Sequence, residues 1–160
     1  MLNIVLVNPQ IPPNTGNIGR LCVNIGARLH LISPLGFDIS EKALRRAGLD
    51  YWKSVDLTVW DSLDEFVDSQ PIGDRFHLAT TKSQNPYWEA RYSIGDYLMF
   101  GSESGGLPSD ILERYPERTV NIPMAPQGRS LNLSVSVGIV AYEALRQNYE
   151  TVSKMWGENR

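Results

Sequence analysis

Three short segments hold the residues whose types and spacing could do chemistry. The first, Pro12-Pro13-Asn14-Thr15-Gly16-Asn17-Ile18-Gly19-Arg20, puts an arginine just past a turn-forming run. Asn14 or Thr15 can cap a helix there, the helix start offers unpaired N–H groups to an anion, and Arg20 adds a planar fork. The second, Met99-Phe100-Gly101-Ser102-Glu103-Ser104-Gly105-Gly106-Leu107-Pro108, has glycines that let backbone approach a ligand and one carboxylate, Glu103. The third, Ile122-Pro123-Met124-Ala125-Pro126-Gln127-Gly128-Arg129-Ser130-Leu131-Asn132-Leu133, is a proline-stiffened loop entering a helix, with Ser130 or Asn132 as the cap. Taken alone, the first two segments are equally well explained by local structure, a capped helix and a turn at a strand exit, and the third is somewhat better explained as a helix entry.

Other chemistries lack their signatures. The glycine loop has no Lys-Ser/Thr ending, so it is no Walker A loop, and no G-x-G-x-x-G follows the first strand. No G-x-S-x-G elbow supplies an acyl-transfer nucleophile. His30 and His77 sit within apolar runs and read as satisfied core histidines; with Cys22 they are too scattered for a metal site.

Positioning these segments requires an alternating scaffold. Apolar runs at 2–7, 29–33, 55–60, 76–80, 97–101 and 118–122 read as strands, several of them continuous enough to be covered on both faces. The 55–60 run alternates and belongs nearer an edge. Helical spacing appears at 17–25 (Ile18, Leu21, Cys22, Ile25), from Ser40 to a stop at Gly48, and after Asp61 (Leu63, Phe66, Val67). Such alternation predicts an α/β fold, a mostly parallel sheet flanked by helices, with ligands beyond the carboxyl ends of its strands. The 132–147 stretch is apolar on more than one face, so it is either central or completed by a second subunit; a homodimer seam is the preferred expectation.

Composition sets the frame. The 160 residues, 42% hydrophobic and 21% charged, suit one domain over 1–160 with a real core. The single cysteine, the lack of a basic leader and the absence of a long apolar run predict a cytoplasmic protein without a membrane span. Net charge is −3, yet residues 14–54 carry six basic against three acidic side chains, while 55–120 carry five against twelve. A basic first third on an acidic body suits one phosphate-facing surface, though ordinary surface scatter explains it as well.

In order and content, three stretches resemble the SPOUT class of RNA 2′-O-methyltransferases: Asn14-Thr15-Gly16-Asn17-Ile18-Gly19-Arg20, Phe100-Gly101-Ser102-Glu103-Ser104-Gly105-Gly106-Leu107, and Ile122-Pro123-Met124 with Ser130-Leu131-Asn132-Leu133-Ser134. The likeness runs from Met1 to about Tyr149. With Arg45-Arg46-Ala47-Gly48-Leu49-Asp50-Tyr51 and no added RNA-binding domain, it is nearest the minimal YibK/TrmL branch, which methylates the ribose of the tRNA wobble nucleotide, position 34. The resemblance implies a C-terminal trefoil knot, a homodimer joined through the C-terminal helix, tRNA as partner and S-adenosylmethionine as cofactor without a metal. It implies cofactor contacts at Leu78, Gly101, Ile122, Met124, Ser130 and Leu131, and catalytic positions at Arg20, Asn14, Glu103 and Asn132. Because a guanidinium is a poor base, Arg20 is expected to grip the ribose-phosphate and steady oxyanion character. The alternatives are the same chemistry on ribosomal RNA, or a non-catalytic RNA-binding module on this scaffold.

Overall fold

Alternate residues of the central strands must go to opposite faces, so a strand covered on both sides has to be apolar throughout. In the computed structural model, which describes residues 1–40, 43, 50–70 and 75–157, that rule accounts for the two central strands, at residues 4–7 and Tyr97–Phe100. Six strands, β1 (Asn3–Val7), β2 (Arg28–Ile32), β3 (Leu57–Trp60), β4 (Phe76–Ala79), β5 (Tyr97–Phe100) and β6 (Thr119–Val120), lie in the order β3-β2-β1-β5-β4-β6, and every pairing is parallel. All six expected strands are present, and the alternating β3 is indeed an edge.

The described helices are α1 (Pro12–Ile25), α2 (Leu63–Ser69), α3 (Ser109–Arg114), α4 (Leu133–Gln147) and α5 (Tyr149–Met155). On one face, Ile4, Leu6, Leu29, Leu31, Leu98 and Phe100 pack with Ile18 and Cys22 of α1 and Val137, Val140 and Ala141 of α4. On the other, Val5, Val7, Ile32, Phe76, Leu78 and Met99 pack with Phe66 of α2 and Ile111 of α3.

Several expected boundaries are corrected. Helix α1 starts five residues earlier than the 17–25 spacing predicts, because Pro12 and Pro13 occupy its first positions, where their missing N–H groups cost nothing. Its N-cap is Ile11 with no side-chain cap, so Asn14 and Thr15 lie inside the first turn. Ser62, not Asp61, caps α2 by accepting from the Glu65 N–H at 3.1 Å. Asn132 rather than Ser130 caps α4, taking the N–H groups of Ser134 and Val135. Helix α4 is not covered all round: Val135 and Tyr142 stay 49% and 53% exposed. The helix expected from Ser40 to Gly48, with Arg45 and Arg46, lies outside the described residues.

Candidate active site

The carboxyl ends of β5, β4 and β6, with the start of α1 after β1, surround a cleft of about 460 Å³. Asn14, Gly101, Glu103, Ile122, Met124, Ser130, Leu131 and Asn132 all line it, so eight of the ten expected site residues meet there from three distant segments. Two do not. The Leu78 side chain is fully buried in the α2–α3 core, and its successors Ala79 and Thr80 reach the cleft instead. Arg20 stands on the exposed face of α1, away from the cleft of its own chain.

A hydrogen-bonded chain ties three loops together. The Asn132 side-chain oxygen is committed to α4, accepting from the Ser134 N–H at 2.9 Å and the Ser134 hydroxyl at 2.6 Å. Its amide nitrogen must therefore face outward, and it donates to Asn14 Oδ1 at 2.9 Å. That fixes Asn14 in turn, whose Nδ2 donates to Glu103 Oε1 at 3.1 Å. Glu103 closes the chain by accepting the N–H of Ile11 on Oε1 at 3.1 Å and that of Gln10 on Oε2 at 2.7 Å. Partial burial pushes the Glu103 carboxyl up, but the donors from Asn14, Gln10 and Ile11 outweigh it and hold the group below its ordinary value. It is an ionised acceptor with its oxygens engaged, which suits it to hold loops rather than to take a proton.

The glycine loop folds back on itself. A side chain at Gly101 would place its first carbon 1.8 Å from the Gly106 carbonyl carbon, so only glycine fits where the strand exit meets the Gly106–Leu107 peptide. The loop is closed by the Gly106 N–H on the Ser102 carbonyl at 2.9 Å and the Gly105 N–H on Ser102 Oγ at 3.1 Å.

Sequence reasoning missed Gln10. Its side-chain oxygen accepts from the Ser104 N–H at 3.1 Å and the Ser104 hydroxyl at 2.7 Å, across 94 positions that no local pattern links. It also missed Tyr51 and Trp52. The Tyr51 hydroxyl donates to the Gly16 carbonyl at 2.7 Å, and the Trp52 ring occupies the space a side chain at Gly19 would need. The i, i+3 glycines of α1 were the available signal. The two histidines are structural as expected: His30 accepts from Trp60 Nε1 on Nδ1 and meets Asn3 Oδ1 through Nε2, while His77 Nε2 lies 2.9 Å from Asp96 Oδ2.

Among the described residues no three His, Cys, Asp or Glu side chains gather as a metal site, and no helix is long and apolar enough to cross a membrane. The family model of the SpoU rRNA Methylase family matches residues 1–142. The chain is 51% identical over 148 residues, covering 92% of itself and 94% of the relative, to a protein of Escherichia coli (strain K12) named tRNA (cytidine(34)-2′-O)-methyltransferase. It is 49% identical over 149 residues, at 92% and 96% coverage, to a protein of the same name from Burkholderia ambifaria. Its backbone matches a solved structure described as giving insights into 2-OH methylation of C/U34 on tRNA, with a TM-score of 0.86, 48% identity, and 94% and 97% coverage. With matches of this extent over a sheet and cleft of this form, the chain belongs to the SpoU rRNA Methylase family.

Proposed function

We propose that this protein is an S-adenosylmethionine-dependent methyltransferase acting on the ribose 2′-oxygen of the wobble nucleotide, position 34, of tRNA. The observation that carries the reading is the Asn132–Asn14–Glu103 chain at the rim of the cleft. Relatives named for this activity, with about half their residues identical over nearly their full length, support it.

The cleft fits the cofactor. Its volume lies within the roughly 300–1,000 Å³ of small-molecule sites, and Gly101 lets the glycine loop that lines it close against the strand exit. When bound, the cofactor supplies a methyl group already activated on a sulfonium. Gly101, Ile122, Met124, Ser130 and Leu131 hold it, with Ala79 and Thr80 at the β4 exit in the place expected of Leu78. Asn14 and Asn132 arrive with fixed amide orientations, so little ordering cost remains when the reacting groups meet. Glu103 keeps the β1 loop, the start of α1 and the glycine loop in register.

Arg20 completes the site from a second copy of the chain, in a homodimer built on the C-terminal helix. Val135 and Tyr142 of α4 are exposed, α1 packs beside α4, and Val23, one turn beyond Arg20, is exposed as well. A partner covering this apolar band would carry Arg20 towards a cleft, where its fork grips the ribose-phosphate. The knotted passage of the class belongs to the same proposal: after β6 at the sheet edge the chain returns to lay α4 against β5 and α1, which supports it. A cytoplasmic setting accords with the single buried Cys22, whose thiol burial pushes up to about 12.

The family's description names rRNA, so ribosomal RNA is the second reading. The deciding experiment incubates purified protein and S-adenosylmethionine with total RNA from a deletion strain and maps the new methyl groups. A ribose methyl at tRNA position 34 is expected. Methylation of ribosomal RNA alone overturns the tRNA assignment, and cofactor binding without any methylation leaves an RNA-binding module.

A further inference from the structure

Among the described residues only two ionisable side chains line the cleft, Glu103 and Lys82. They follow β5 and β4 respectively, adjacent strands of the sheet, so both charges lie at its carboxyl-end rim. Lys82 is placed by a tight turn in which its N–H donates to Thr80 Oγ1 at 3.2 Å. Among the described residues no carboxylate pairs with its ammonium. The neutral donors on Glu103 occupy its oxygens without cancelling its charge. The cleft is therefore negative at the β5 exit, facing Asn14, and positive at the β4 exit.

We propose that this charge separation orients the cofactor: Lys82 binds the carboxylate of the methionine moiety and the sulfonium lies towards Glu103. The inference rests on the methyl-donor reading above. S-adenosylmethionine carries one anionic group, its carboxylate, and two cationic ones, the sulfonium and the α-ammonium. The reverse placement sets the sulfonium against the Lys82 ammonium and the carboxylate against Glu103; the α-ammonium beside the carboxylate softens the second clash, so the sulfonium is the charge that favours the proposed direction. The proposed orientation also turns the methyl group towards the Asn132–Asn14 chain rather than away from it. An RNA phosphate is the competing anion. Lys82 lines the cleft between the loops after β5 and β6, which carry Gly101, Ile122 and Met124, and this place favours the cofactor over RNA.

The test is calorimetry with S-adenosylhomocysteine and its α-carboxamide on wild type, Lys82→Met and Lys82→Arg. Wild type should bind the carboxylate form about five- to tenfold more tightly than the carboxamide. Lys82→Met should bind both forms equally and Lys82→Arg should keep the preference, each with an unchanged melting temperature because Lys82 is exposed. A Lys82→Met protein that discriminates as wild type does overturns the proposal. So does one whose S-adenosylhomocysteine affinity is untouched while tRNA binding weakens and its salt dependence flattens, which would assign Lys82 to a phosphate. A wild type that binds neither ligand refutes the methyl-donor reading itself, an outcome distinct from both.

Discussion

Replacing Glu103 with glutamine exchanges one carboxylate oxygen for an NH₂ group where every neighbour is a donor. If the new amide nitrogen takes the Oε1 position it meets the N–H of Ile11 and the side-chain amide of Asn14. Asn14 cannot turn over to accommodate it, since Asn132 holds its oxygen and α4 holds Asn132. The amide nitrogen must then take the Oε2 position, against the Gln10 N–H. One charge-assisted bond is lost and the others lose their charge; such bonds are worth about 1.5–3 kcal/mol each. Glu103 is half-buried, so water relieves part of the cost, and a net loss of about 2–3 kcal/mol remains, roughly 30- to 150-fold in affinity. Calorimetry with S-adenosylhomocysteine should show that loss, and kcat/KM for the cofactor should fall in parallel. The pH–rate profile should keep its shape between about pH 6 and 9, because the folded carboxyl is held below its ordinary value and does not titrate there. Its contribution is present at neutral pH and is lost only as the pH falls through the depressed value. A Glu103→Gln protein with wild-type ligand affinity would refute the keystone argument, and one that loses an acid limb of the profile would make Glu103 a proton acceptor.

Mixing Arg20→Ala chains with Glu103→Gln chains should restore about a quarter of wild-type activity, since about half the re-associated dimers carry one intact composite site; free exchange without recovery would place each site within one chain. Burial, aided by the charge of Arg28, lowers the His30 pKa to about 4. With an unfolded value of about 6.5, up to about 3 kcal/mol of stability present at neutral pH should be lost as the pH falls from about 6.5 to 4. Denaturant unfolding should show that loss, and His30→Gln should abolish this part of the slope. Among the described residues Thr15 Oγ1 is buried with no hydrogen-bond partner. Thr15→Val should therefore raise the melting temperature by about 2–4 °C, corresponding to about 1 kcal/mol; a decrease would mean that the hydroxyl has a partner. Gly101→Ala should unfold or fail to express, because the new methyl meets backbone rather than a side chain that can move; a folded variant with a normal melting temperature would refute that.

The strands were legible because both faces of the sheet are covered, so β1 beyond Asn3 and all of β5 had to be apolar or aromatic. The cleft was legible because its loops spend glycine, proline and amide residues where ordinary turns need fewer. The start of α1 was obscured by Pro12 and Pro13, which suit a turn and a first helical turn equally. The short α3 and α5 were missed because six or seven residues give too little periodicity to separate from loop. Gln10 was invisible for another reason: its partners lie 93 and 94 positions away, and nothing local marks a carboxamide that answers to a distant hydroxyl. Arg20 belongs to the motif but, exposed on α1, does not line the cleft of its own chain, and no spacing within one chain can show which copy's cleft it faces.

The bond between Asn132 and Asn14 spans 118 positions, and it bears on when during its own synthesis the protein first becomes able to bind. Until α4 docks against α1 and β5, Asn14 lacks the partner that orients its amide, and one wall of the cleft is missing. Closing so long a loop is entropically costly and slow, so this docking belongs late in folding. A chain still being translated can complete β1 through β5 and remain unable to hold a cofactor. Since a ligand that binds only the docked state adds its binding free energy to that state, the cofactor would act as a latch on the final step. Acquisition of affinity would then mark the moment when the last helix arrives, a clock that a fluorescent cleft ligand could read during refolding.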